Sequence, residues 1–143
     1  MEVQKDISGS RIFWIARIAL FINYFWFGIL KFFPGVSPAE KLAGETIHEL
    51  TVGFLEQSYS VVILAVVEVS LALGLLMRKT LLWSLRLILI HMIFTFSTFL
   101  FYPDLLIGEE MFSLTLAGQY VIKNLVFIAL VVILIQQIKS RNA

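Results

Sequence analysis

Residues 60–102 read SVVILAVVEVSLALGLLM-RKT-LLWSLRLILIHMIFTFSTFLFY, two apolar runs joined by Arg78-Lys79-Thr80. Each run approaches the roughly 20 residues an α-helix needs to cross a hydrocarbon core of about 30 Å. The link is so short that the two helices must run antiparallel as a hairpin. Lipid leaves no partner for open backbone groups, and the turn-punctuated alternation of barrel strands is absent, so the runs read as helices. Two more apolar runs flank the hairpin. The expected spans are about 12–33, 60–77, 81–102 and 119–138, which makes residues 1–143 a single all-α domain, an integral membrane four-helix bundle.

Composition leads to the same class. The chain has 143 residues, 59% hydrophobic and 15% charged, with mean hydropathy +0.92. So small a chain has too little interior to hide that much apolar side chain from water. An ordinary soluble enzyme and a disordered regulator are thereby excluded. The 11 Lys+Arg against 10 Asp+Glu give no basic footprint, so no nucleic-acid partner is expected. Cysteine is absent, which removes dithiol exchange, thiolate-bound zinc and cysteine-ligated iron–sulfur clusters from this chain. His48 and His91 lack metal-ligand spacing, and no metal site is expected. No phosphate loop, Ser–His–acid order or paired-carboxylate site is present. The polar start without a small-residue cleavage site marks the first span as a retained signal anchor.

The loops set an orientation. Lys5, Arg11, Arg78, Lys79, Lys139 and Arg141 fall on one side. Glu40, Glu45, Glu49, Glu56, Asp104, Glu109 and Glu110, with Lys41, fall on the other. Basic residues near span ends favour the cytoplasm, so both termini are expected there, in a bacterial inner (plasma) membrane. Trp14 and Trp83 lie where anchors at the cytoplasmic interface belong. In the first outer loop, Ser37-Pro38-Ala39-Glu40 fits a capping box with proline at the first helical position. Ala43, Ile47, Leu50 and Phe54 then recur at helical spacing. An amphipathic outer-surface helix over about 38–57 is expected, either an interfacial cover or a gate above a cavity. The second outer loop, about 103–118, receives no firm structure.

Ionisable groups inside lipid are costly and turn toward a bundle interior or water. Arg17, Tyr24, Gly28 and Lys31 form a narrow stripe on the first span, with Asn23 off it. Glu68 sits mid-depth on the second, flanked on its face by Ala65 and Ala72. Ser84, His91, Thr95, Thr98 and Tyr102 share a face of the third. Gln119, Tyr120 and Lys123 cluster at the outer end of the fourth, with Asn124 about a quarter-turn away. Glu68 is the sole carboxylate within the spans, so it must be paired or protonated. Arg17, Lys31 and Lys123 are candidate countercharges, with Arg17 preferred for its reach. The alternative reading of the pair is a structural clamp, and that of His91 a packing residue rather than a proton carrier. Arg86 lies off the polar face and is expected to snorkel.

The run Tyr24-Phe25-Trp26-Phe27-Gly28-Ile29-Leu30-Lys31-Phe32 resembles the F-x-x-G-x-x-K-F segment that closes the first helix of DoxX-like membrane proteins. Glu68 with Gly74 resembles their second-helix E-x(5)-G pattern. Gly118-Gln119-Tyr120-Val121-Ile122-Lys123-Asn124 resembles the G-Q-Y-x-I-K-N segment of one branch, although Ala117 stands where an acidic residue often precedes it. The resemblance runs from Arg17 to about Leu134 and implies a four-helix membrane protein linked to quinone-dependent oxidation or redox stress. It implies a polar pocket for a quinone-like or small anionic ligand, with a quinone as the cofactor. The implied ligand-binding residues are Arg17, Tyr24, Gly28, Lys31, Glu68, Lys123 and Asn124, and Glu68 and His91 are the candidate proton movers. No electron carrier is visible in the chain, so a redox protein partner or the quinone itself would supply it. Besides the lipid bilayer, a homo-oligomer is an open partner. The alternative is a non-catalytic membrane subunit that recruits a partner. A transporter is disfavoured because no broken span or inverted repeat is visible.

Overall fold

The computed structural model describes residues 2–37, 40–110 and 112–142. Its helices are α1 (Glu2–Leu30), α2 (Glu40–Leu50), α3 (Gln57–Leu76), α4 (Leu81–Thr95), α5 (Thr98–Phe101), α6 (Pro103–Leu106) and α7 (Leu116–Asn142). Four stretches are long and apolar enough to cross a membrane: Arg11–Leu30, Gln57–Leu76, Leu81–Phe101 and Leu116–Ser140. They match the four expected runs.

α1 stops before the expected Phe33. The N–H groups of Lys31, Phe32 and Phe33 turn back to the carbonyls of Gly28, Ile29 and Leu30 at 3.1–3.2 Å, one residue short of the α-helical partner. Pro34 disfavours helical backbone at the residue before it, and Gly35 at φ 77° completes the turn. The third run is not one unbroken helix either. At its Phe96–Ser97 step the N–H groups reach Ile93 and Phe94 through i−3 bonds at 3.1 Å. The Thr95 and Ser97 hydroxyls donate to Met92 O at 2.6 Å and Phe94 O at 2.7 Å, competing for the carbonyls a regular helix would use.

α2 is shorter than expected. It ends in a Schellman arrangement, with Gly53 N donating to His48 O at 2.8 Å and Val52 N to Glu49 O at 3.0 Å. Pro38 and Ala39 of the expected capping box lie outside the described residues. The flanking Ser37 and Glu40 do not form its reciprocal bonds. Glu40 Oε2 accepts instead from Gly35 N at 2.8 Å, and Ser37 Oγ is buried without a hydrogen-bond partner. The second outer loop is more ordered than expected: α6 leads into an antiparallel bridge between Ile107 and Leu114.

The long helices pack in a ring, α1 against α3, α3 against α4, α4 against α7 and α7 against α1. The interior is built on Leu20, Leu75, Leu85, Ile88, Val131 and Leu134, all at most 1% exposed. Ala65 and Ala72 are fully buried and let helices approach closely. Gly28 does the same for α1: a Cβ there would stand 3.0 Å from Glu68 Cβ and from Val69 Cγ2. The outward faces stay apolar, with Ile15, Trp83 and Val126 each at least 65% exposed. Connectivity puts the Arg78–Lys79 turn at one end of the ring and α2, α5 and α6 at the other.

Candidate functional site

The polar residues of four elements meet toward the α2 end. Lys31 follows the last turn of α1, where the terminal carbonyls carry partial negative charge. Its ammonium donates to Phe27 O at 3.3 Å and to Glu68 Oε2 at 2.6 Å. Glu68 projects from the middle of α3, and both partners are buried, 7% and 6% exposed. Burial makes this pair mutually obligatory, since either charge alone would lack compensation.

The other carboxylate oxygen faces His91. Glu68 Oε1 lies 3.9 Å from His91 Nε2. On its far side the imidazole meets Tyr24, with Nδ1 at 2.8 Å from the phenol oxygen and the rings edge to face at 5.8 Å. With Tyr24 donating to Nδ1, the neutral imidazole carries its proton on Nε2, directed at the carboxylate. Tyr24–His91 and Lys31–Glu68 are thus two bonded pairs side by side, with 3.9 Å between the imidazole and the carboxylate. Nearby, Asn124 of α7 donates to Thr95 Oγ1 of α4 at 2.8 Å. From α2, Thr46 pairs with Thr98 at 3.2 Å, hydroxyl to hydroxyl.

These groups border a cavity of about 430 Å³. Its walls are mostly apolar, with Phe27, Met92, Phe94 and Phe127 prominent, and α2 roofs it with Leu42, Ala43, Thr46, Ile47 and Leu50. An apolar chamber with a few convergent polar groups is the usual build of a small-molecule site.

The expected site residues divide. Tyr24, Lys31, Glu68, His91, Lys123 and Asn124 all line the cavity. Gly28 lies behind Glu68, where its missing side chain admits the carboxylate's helix. Arg17 is elsewhere: it donates through Nε to Leu75 O and its guanidinium lies 4.5 Å from the centre of the Trp14 ring. The preferred Arg17–Glu68 pair therefore does not form, and Lys31 takes that place. Arg17 stands fourteen residues before Lys31, about 21 Å along a helix, too far toward the Arg78–Lys79 end to reach the middle of α3. Gln119 is also absent from the lining and donates to Leu114 O at 3.3 Å. Of the amphipathic stripe, Ala43, Ile47 and Leu50 face the cavity, whereas Phe54 lies beyond the end of α2 and is 89% exposed.

Two polar contributors were not singled out as site residues from sequence. Asn23 lines the cavity although it is off the α1 stripe, because the wall is wide enough to include the adjacent face. Thr46 carried a signal that could have found it: it is the polar residue one position before Ile47 on the apolar face of α2. Comparison of the chain with family models, with curated proteins and with solved structures returns no match in any of the three.

Proposed function

We propose that the chain is an integral membrane four-helix bundle of the DoxX-like kind, with α2 at the outer surface, whose cavity binds the headgroup of a quinone-like ligand as a redox-associated module. One observation carries the reading: the cavity's ionic pair is closed on itself, and the groups left to a ligand are mainly neutral hydrogen-bonding ones. Lys31 has its charge offset by Glu68 at 2.6 Å. Tyr24, His91, Thr95 and Asn124 line an aromatic-rich chamber, Tyr24 paired with His91 and Asn124 with Thr95, which leaves the second Nδ2 hydrogen of Asn124 to a ligand. That setting suits a flat ring with carbonyl acceptors better than a free anion, for which Lys123 alone would supply net charge.

A bound quinone would supply two-electron acceptance, with the electrons coming from a redox partner. The chain's own residues would bind and orient the ring and hold protons. The second Nδ2 hydrogen of Asn124 and the Lys123 ammonium would donate toward carbonyl oxygens and His91 would hold a proton beside the chamber, while Glu68, ionised against Lys31, would accept one only on release from that pair. The Phe27, Phe94 and Phe127 rings exclude water from it.

A photoreactive quinone analogue tests the reading on protein in its native lipid. Cross-links are expected in peptides spanning residues 91–98 and 120–127, and an excess of unreactive quinone should suppress them. Labelling confined to other peptides, or insensitive to competitor, would reject this site.

A further inference from the structure

We infer that the ligand carries a hydrocarbon tail and reaches the chamber sideways from lipid, between the α2-end halves of α1 and α7. The inference rests on the reading of the chamber as a binding site. It adds the class of ligand, a membrane-dissolved amphiphile, and its route.

The chamber is closed or bridged on all sides but one. At the α2 end the chamber is roofed, and the roof is pinned. Thr46 bonds Thr98 at 3.2 Å, and Tyr102 donates to Glu49 Oε1 at 3.4 Å, tying α2 to the end of the α4–α5 run. Toward the other end the floor is sealed by Leu20, Val131 and Leu134, none above 1% exposed. Between α1 and α3 the Lys31–Glu68 pair and the close packing at Gly28 shut the wall. Between α4 and α7 the Asn124–Thr95 bond does so, and between α3 and α4 the Glu68 carboxylate stands 3.9 Å from the His91 ring.

The remaining side differs. Between residues 23–31 and residues 117–127, no hydrogen bond or ion pair joins α1 to α7 among the described residues. The cavity-lining residues along it reach the surface: Phe27 is 39% and Tyr120 36% exposed, and Lys123 is exposed beside the Tyr120 ring at 4.9 Å. Exposed lining residues on both flanking helices mark a mouth here; Phe94 of α4 also lines the chamber and is 55% exposed, but no lining residue of α3 is exposed beside it. This mouth lies on the flank of two helices apolar enough to span a membrane, so it faces acyl chains, not water. A headgroup held at Asn124 would therefore leave its substituent pointing into lipid past Phe27 and Tyr120. Lys123, long and flexible at the rim, can follow a polar headgroup inward.

The absence of native cysteine makes a single-cysteine experiment clean. Phe27→Cys and Tyr120→Cys report on the mouth, and Thr95→Cys reports on the interior. Each variant, in proteoliposomes, is alkylated with a membrane-permeant maleimide. Two fully ring-substituted benzoquinones, inert to thiols, are added in turn: one with a decyl tail, the other with a methyl in its place. The expected result is that the tailed compound slows alkylation severalfold at all three positions, while the tail-less one slows it at Thr95→Cys alone. Protection by the tailed compound at Thr95→Cys without protection at either mouth position would overturn the lateral route and leave the site standing. No protection at Thr95→Cys by either compound would remove the site, and the route with it.

Discussion

At the scale of single residues, the molecule turns on which cation meets Glu68. Lys31 does so from the turn after α1 with its stem buried, and Glu68 in return lies within 3.9 Å of His91. Removing one member of a buried pair leaves an uncompensated charge, costing about 3–5 kcal/mol, whereas removing both is far milder. We expect Glu68→Gln and Lys31→Met each to lower the unfolding midpoint of detergent-solubilised protein strongly, and the double variant to recover much of the loss. Strictly additive effects in that cycle would show the two residues to be energetically independent. A second expectation concerns ligand. Asn124→Leu deletes a donor at the chamber wall and should weaken binding of a decyl benzoquinone about tenfold, while loss of its bond to Thr95 lowers stability by only about 1 kcal/mol. Unchanged affinity would take Asn124 out of the site. Much of this was legible in the sequence, since charged and amide residues inside apolar runs are few and converge for want of any other partner. The pairing was not. Helical phase groups Arg17 with Lys31, and only the axial offset between α1 and α3 decides which of them stands level with Glu68.

At the scale of elements, the long helices follow from apolar length, but their ends obey local chemistry that hydropathy does not report. Pro34 ends α1 before Lys31, and the hydroxyls of Thr95 and Ser97 tighten the third run where the chamber lies. α2 has its own weakness. Its Schellman end puts Val52 at φ 53°, a left-handed conformation that a β-branched residue adopts only under strain, and Val52 is 93% exposed, so packing does not compensate. Glycine removes that strain. Val52→Gly is expected to stabilise the end of α2 by about 1 kcal/mol, read as slower amide exchange at Gly53 and Phe54. Faster exchange would mean that the valine side chain holds the turn through contacts with its surroundings. The opposite result is expected at Gly28. Its closeness to Glu68 and Val69 leaves no room for a methyl, so Gly28→Ala should destabilise by about 1–3 kcal/mol by forcing α1 from α3.

At the scale of the whole molecule, the asymmetry of charge and the asymmetry of structure coincide. The end that carries α2, α5 and α6 also carries Glu40, Glu45, Glu49, Asp104, Glu109 and Glu110, and the opposite end carries Arg78 and Lys79 on its tight turn. Translocating basic residues across a bilayer is disfavoured, so this arrangement argues for the roofed end outside and the basic turn in the cytoplasm. In that orientation the chamber would open in the outer half of the membrane. Single cysteines settle the orientation in a background that has none. In bacterial spheroplasts, a membrane-impermeant maleimide should label Glu45→Cys and Glu109→Cys directly, and Lys79→Cys only after the membrane is permeabilised. The inverse pattern would turn the molecule over and place the roof in the cytoplasm. Labelling of all three in sealed spheroplasts would mean that α3 and α4 do not cross, and the lipid-facing mouth between α1 and α7 would lose its premise.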